Sequence, residues 1–337
     1  MSLLAAHIND AGISVLSADR LLYREPGFAL LDDDELTTGS SAFENARIKP
    51  RKIQNRFWSE LTTDALPDRR FQHLSAADLV SRQLEQIWQK VAGSGDRLVV
   101  AVPAYMSGDN LGLFLGIANE LDVPVVGLVD AAVAATRREY QGAVPVHVDL
   151  GLHVSTLSRL KQTGQVQLDR SEVIQNSGML ALYDAWIRTI SDAFVKQSRF
   201  DPLHTAETEQ LLLDRLGEWL SGASVSDKVA LEIEYRGIAH NAELESLELI
   251  SAAAPVYQRI ASQLRAVYRA EETPAIQLSD RAARMPGLAD MLAARVGGDI
   301  FLLEPGATAR GLLTRCRDMQ RGGGGVTLIR QLPWDQS

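Results

Sequence analysis

The chain opens with two short apolar runs, residues 2–8 and 13–17, set apart by Asn9-Asp10-Ala11-Gly12. A turn-forming cluster between two runs of strand length predicts a β-hairpin. A third run over 20–31, broken by Pro26-Gly27 and closed by Asp32-Asp33-Asp34, extends this to a meander of three strands. At Ser75 the period changes. Ser75-Ala-Ala-Asp78 has the form of a capping box, and Leu79, Leu84, Ile87, Trp88 and Val91 recur at helical spacing up to Gly93-Ser-Gly95. Residues 97–103 then read as a buried strand, 110–121 as a helix and 123–129 as another strand, the order of a crossover between parallel strands.

A second series follows. Strands are expected over 144–149, 154–160 and 165–168, with Thr163-Gly164 as the turn between the last two. Helical periodicity covers 178–196, 206–221 and 243–268, and the alternating run 228–235 ends at the turn Arg236-Gly237. A short strand at 275–278, a helix over 286–296 and a strand over 300–303 complete it. Meander, helix and crossover therefore occur twice, before and after about residue 142. The architecture is duplicated while the sequence is not.

Composition narrows the function classes. With 337 residues, 46% apolar and 23% charged, the chain can bury one or two cores. Its formal charge of −9, from 34 basic and 43 acidic residues, argues against broad attraction to nucleic acid or anionic lipid. The single Cys316 excludes an internal disulfide framework and fits a reducing compartment. The six histidines are scattered without a ligand spacing, so no metal site is expected. The N-terminus has no basic region followed by an apolar core, and no run of about twenty apolar residues occurs, so neither a signal peptide nor a membrane-spanning helix is expected and the cytoplasm is the expected location.

Several segments resemble, in order, the nucleotide-binding domain of the seventy-kilodalton heat-shock (DnaK-type) chaperones. Leu98-Val-Val-Ala-Val-Pro-Ala-Tyr-Met106 is similar to that family's I-T-V-P-A-Y-F strand and turn. Val126-Gly-Leu-Val-Asp-Ala-Ala-Val-Ala-Ala135 falls where the family has I-N-E-P-T-A-A-A, and Val148-Asp-Leu-Gly151 where it has F-D-L-G. Ser177-Gly178 with Asp184 is placed like G-G-E-D-F-D, Arg284-Met-Pro286 like R-I-P, and Glu304-Pro-Gly-Ala-Thr-Ala-Arg-Gly311 like the N-P-D-E-A-V-A-Y-G helix start. The ordered match runs over roughly residues 3 to 318. The resemblance implies an α/β, actin-like ATPase (ribonuclease H-like) fold, with mixed sheets and flanking helices in two lobes around a cleft. The lobes would be 1–142 and 143–304, with a helix over 305–320 returning to the first and a Gly-rich linker and apolar tail over 321–337. The family's C-terminal substrate-binding domain has no counterpart in the sequence.

Such a cleft needs bare backbone against phosphates and carboxylates to hold Mg²⁺ through water and position the attacking water. Here the first phosphate loop, D-L-G-T-T in the family, is Asp10-Ala-Gly-Ile-Ser14; it keeps the acid and Gly12, and a plain hairpin turn accounts for it equally well. In the second loop Asp149 and Gly151 are kept, but Leu152 and His153 replace two glycines and Thr156 an acid. His153 reads either as a phosphate contact or as a structural residue. Asp130 falls near the family's cleft glutamate, or simply caps the helix that follows. Asp280-Arg281 replace the paired glycines of the adenosine loop, and Arg56-Phe57-Trp58 stand where the catalytic lysine would be.

These departures lead to the expectation of a pseudo-ATPase: a chaperone-like scaffold or regulatory protein-binding module that needs no cofactor. The alternative is a divergent ATPase binding ATP or ADP with Mg²⁺, in which Asp10, Asp130 and Asp149 would be catalytic and Asp10, Gly12, Asp149, Gly151, Ser177 and Gly178 would line the nucleotide cleft. A sugar or acyl-group kinase of the same superfamily is a third reading. Partner proteins are expected to meet the tail, where four glycines precede Val326, Leu328, Leu332 and Trp334, a segment suited to docking as an added strand on an edge of this chain or of a partner or second copy.

Overall fold

The computed structural model describes residues 2–18, 20–32, 35–317 and 326–335. In chain order the first half contains β1 (Leu3–His7), β2 (Ile13–Ser17), β3 (Arg20–Glu25), β4 (Ala29–Asp32), β5 (Glu35–Thr38), α1 (Ser40–Phe43), β6 (Ile53–Gln54), α2 (Ala76–Val91), β7 (Arg97–Val102), α3 (Gly108–Glu120), β8 (Val125–Asp130) and α4 (Ala131–Ala135). The second half contains β9 (Val144–Leu150), β10 (Val154–Gln162), β11 (Val166–Gln175), α5 (Met179–Ser198), α6 (Ala206–Ala223), β12 (Lys228–Tyr235), β13 (Ile238–Glu245), α7 (Ser246–Val267), β14 (Pro274–Leu278), α8 (Leu288–Val296), β15 (Asp299–Leu302) and α9 (Ala307–Arg315). The tail adds β16 (Leu328–Ile329) and β17 (Gln331–Leu332).

Each half is built on one mixed sheet, and the two sheets share a plan. In the first, β1 pairs antiparallel with β2 and β2 with β3, while β7 lies parallel to β1 and β8 parallel to β7. In the second, β9, β10 and β11 form the meander, and β14 and β15 add in parallel on the other side of β9. The protein is thus an α/β fold with mixed sheets and flanking helices. The parallel additions require crossovers, supplied by α2 and α3 in the first half and by α7 and α8 in the second. Central strand β7 is buried on both faces, which is why Leu98-Val-Val-Ala-Val102 reads as an unbroken apolar run. Leu98 and Val100 pack with Leu79, Leu84 and Phe114, while Val99 and Ala101 pack with Leu16, Ala134 and Leu312.

Helix α9 returns the chain to the first sheet, where it packs on β1, β2, β7 and α4. Gly311 makes this approach feasible, because a Cβ there would lie 1.9 Å from the Ala134 carbonyl oxygen. The tail then joins the two sheets at their edges. Residues 328–329 extend the first sheet in parallel with Leu128 and Val129 of β8, and residues 331–332 extend the second antiparallel to Val166 and Gln167 of β11. The Leu168 amide donates to the Arg330 carbonyl between them at 2.8 Å.

The differences from the sequence reading are local and have physical reasons. The run over 20–31 is two strands: Pro26-Gly27 breaks it, the Gly27 amide turns in to the Asp10 carbonyl at 2.7 Å, and the continuation β4 joins β5 and β6 in a separate small sheet. Residues 243–245 belong to β13, because Lys228-to-Tyr235 pairs along its whole length across the Arg236-Gly237 turn, both of whose residues have positive φ. Helix α9 stops at Arg315. The reading of a helix to 320 and of the glycine linker at 321–325 falls on residues 318–325, which lie outside the described residues.

Candidate functional site

The β1–β2 and β9–β10 turns face each other between the halves. In the structure they are joined to one another directly. Asn9 makes an Asx turn, its Oδ1 accepting from Ala11 N at 3.0 Å. Its Nδ2 then donates across the junction to Asp149 Oδ2 at 2.7 Å and to the Leu150 carbonyl at 3.1 Å. In the reverse sense, Asp10 Oδ1 accepts from the Leu152 amide at 2.8 Å. A Cβ on Gly151 would sit 2.8 Å from that same Asp10 oxygen, so glycine there lets the two backbones meet.

Three further groups close the junction. Arg281 enters between the turns, donating from Nη1 to the Leu150 carbonyl at 3.0 Å and from Nη2 to the Gly12 carbonyl at 3.4 Å. The space that Gly12 leaves is taken by this guanidinium, 2.6 Å from where a Cβ would lie. Leu152 crosses into the first half and is buried with Phe28, Leu30 and Ala42. The amides of Met179 and Leu180, at the start of α5, donate to the carbonyls of Gly151 and Leu152 at 2.9 and 3.0 Å. A cavity of about 10 Å³ remains between His7, Gly12, Arg281 and the start of α9, which is room for one water.

Ser177 and Gly178 hold the second turn from behind. Ser177 Oγ accepts from Ser155 N at 3.0 Å and donates to the Ile174 carbonyl at 2.6 Å, and a Cβ on Gly178 would be 2.5 Å from the carbonyl oxygens of Gly151 and Leu152. His153 Nε2 lies 3.2 and 3.1 Å from Asn55 O and Oδ1, in the first half. Asp130 caps α4, its Oδ1 accepting from Ala132 N and Val133 N at 3.0 and 3.1 Å. Arg56 pairs with Glu60 on the surface. Of the residues singled out in the sequence, Asp10, Gly12, Asp149 and Gly151 come together at the turns; Ser177 and Gly178 support them, and Asp130 serves its helix. The tail residues are packed within this chain: Leu332 is buried, Val326 and Leu328 lie on the first core, and Trp334 lies on the α4–α9 cluster.

Buried charge at the junction is compensated unevenly. Burial alone would raise the Asp149 carboxyl, but His7, Arg281, His147 and a hydrogen bond from Ser279 together hold it below the ordinary carboxylate range. Burial lowers His7 and takes His147 down to about 4. Asp10 goes the other way. Burial pushes it up to about 6 against the Leu152 amide and Arg281, and its Oδ2 has no hydrogen-bond partner among the described residues. A carboxyl raised in the folded state contributes stability below its unfolded pKa, about 3.9, and that contribution is lost as pH rises through 6. Asp10→Asn keeps the acceptor for Leu152 N and removes the ionisation. Its stability relative to the unsubstituted protein is therefore expected to improve by about 2–3 kcal/mol between pH 4 and pH 8, read by urea unfolding across that range. A difference independent of pH would show that Asp10 does not titrate in the fold.

Sequence reasoning missed Asn9 and the role of Arg281. Asn9 was legible only as a turn former, since its cross-junction bonds need the second half in place. The halves also meet above the turns. Arg47 pairs with Asp184 at 2.7 Å and Glu209 at 3.3 Å, and Arg24 pairs with Asp280 at 2.7 Å. Among the described residues no group of three or more His, Cys, Asp or Glu is arranged to hold a metal ion, and no helix is long and apolar enough to cross a membrane. No protein-family model matches the chain, and no curated protein matches it. What fold and site define is a class: an α/β protein built on two six-stranded mixed sheets, with the facing turns between its halves bonded to each other.

Proposed function

We propose that this chain is a divergent, chaperone-like member of the actin-like ATPase fold that acts as a non-catalytic scaffold or regulatory protein-binding module. The duplicated sheet plan, with a final helix returning to the first sheet, supports the fold assignment. One observation carries the functional reading: the donors and glycine spaces that would serve phosphates in such a fold are spent on the protein itself, with Leu152 N on Asp10, Arg281 against Gly12, and Asn9 on Asp149. ATP or ADP with Mg²⁺ does not fit this arrangement, in which Arg281 fills the space beside Gly12 and Leu152 N is bonded to Asp10.

A junction bonded in this way resists the opening and closing that couples nucleotide turnover to partner release. The protein then presents a fixed surface to its partners. Because Val326, Leu328, Leu332 and Trp334 are used within the chain, a partner either binds elsewhere or displaces the tail. Calorimetric titration with Mg·ATP and Mg·ADP is expected to give no saturable heat up to about 1 mM, a free energy weaker than about −4 kcal/mol. A micromolar dissociation constant, or ATP hydrolysis lost in Asp149→Ala, would favour the divergent ATPase.

A further inference from the structure

Above the bonded turns, a cavity of about 410 Å³ lies between the halves, within the usual range for small-molecule sites. One wall is apolar, with Phe43 from the first half and Met179, Leu216 and Met285 from the second. The lining also carries Arg24, Arg281 and Arg284. We infer that this cavity is a binding site for an amphipathic organic anion, with its apolar body on the Met179–Leu216–Met285 wall and its anionic head at Arg284 and Arg24.

Charge at these arginines favours an anion. Arg24 and Arg284 share a single carboxylate, Asp280, at 2.7 and 3.8 Å. Arg24 Nε is buried without a hydrogen-bond partner among the described residues. The acidic side chains on the cavity wall are engaged elsewhere: Glu25 accepts from Lys90 Nζ at 3.1 Å and from Ser40 N at 3.2 Å, and Asp214 accepts from Gln210 Nε2 at 2.8 Å. A charge-assisted hydrogen bond from a partly buried guanidinium is the strongest polar contact the site can offer.

The cavity lining also includes a glycine inside a helix. Gly217 stands inside α6 and lines the cavity, and a Cβ there would meet nothing within 4 Å. Packing does not require glycine, and helix propensity disfavours it. A larger side chain at this position would take up space beside the cavity lining.

The matched probes 8-anilinonaphthalene-1-sulfonate and the neutral N-phenyl-1-naphthylamine differ by one sulfonate and separate the two parts of the site. Fluorescence titration of the full chain is expected to show one sulfonate probe per chain, bound about tenfold more tightly than the neutral one, the equivalent of one charge-assisted bond. Arg284→Gln, at a half-exposed position, should abolish the difference and leave the neutral probe unchanged. Gly217→Leu, at an exposed helical position, should weaken both. Equal affinity for the two probes, indifference to both substitutions, or displacement of the sulfonate by Mg·ATP would overturn the inference. Failure of the probes leaves the calorimetric result for nucleotide untouched, so the two readings fail separately.

Discussion

Arg281→Met is expected to destabilise the protein by about 3–5 kcal/mol at pH 7, the range seen when one member of a buried charge arrangement is removed. The Arg281 guanidinium is 9% exposed, donates to Leu150 and Gly12, and stands 4.0 Å from Asp149 Oδ1. Without it two buried carbonyls lose a donor, and Asp149 keeps its burial with less opposing charge. The sign of the pH dependence follows from Asp149. A carboxyl held low in the folded state contributes stability above its unfolded pKa and loses it as pH falls. In Arg281→Met that contribution shrinks, so the damage should be full at neutral pH and diminish only as pH falls below about 4, the unfolded carboxyl value. Urea unfolding of both proteins at about pH 7.5 and about pH 3, on either side of the unfolded carboxyl value, reads this directly. A midpoint unchanged at pH 7.5 would mean that the turns are held without Arg281.

Removing residues 318–337 should have an effect of similar size by a different route. Full burial of a side chain such as Leu332 contributes about 1.5–3 kcal/mol, and the partly buried Trp334, Val326 and Leu328 add smaller amounts, so truncation is expected to lower stability by about 3–5 kcal/mol. It also uncovers the edges of β8 and β11 together, and unpaired edges promote association. Calorimetry should show a lower melting temperature and light scattering a rise in mass on warming. Leu332→Asp should reproduce most of the thermal loss at unchanged length. A truncated chain that melts like the intact one would show that the tail adds nothing to the joining of the sheets.

Both experiments concern contacts between segments more than a hundred residues apart, which is where reading the sequence stopped. The turn at Asn9-Asp10-Ala11-Gly12 was legible because turn residues announce themselves locally. The partner of that turn was not. Leu152 read as a replaced glycine in a phosphate loop, and only the apposition of the halves shows it buried against Phe28 and Leu30. Likewise Asp280-Arg281 read as a substituted adenosine loop, while the two side chains turn apart, Asp280 toward Arg24 and Arg281 toward the turns. The cavity lined by Gly217 and Arg284 left no trace in the sequence, since its walls come from six separated segments.

By itself the sequence determined the order of the principal sheet strands and longer helices, the repetition of meander and crossover, and helix starts such as the Ser75–Asp78 capping box, which the structure contains. Those features depend on hydrophobic period and on side chains bonding to their own neighbouring backbone, interactions that span a few residues. The tertiary structure alone decided that the two turns bond to each other, that Asp10 rises to about 6 while Asp149 falls, and that the tail divides its strands between two sheets. Burial and charge at a site are sums over everything that folds around it, and for this protein most of those surroundings lie in the other half of the chain.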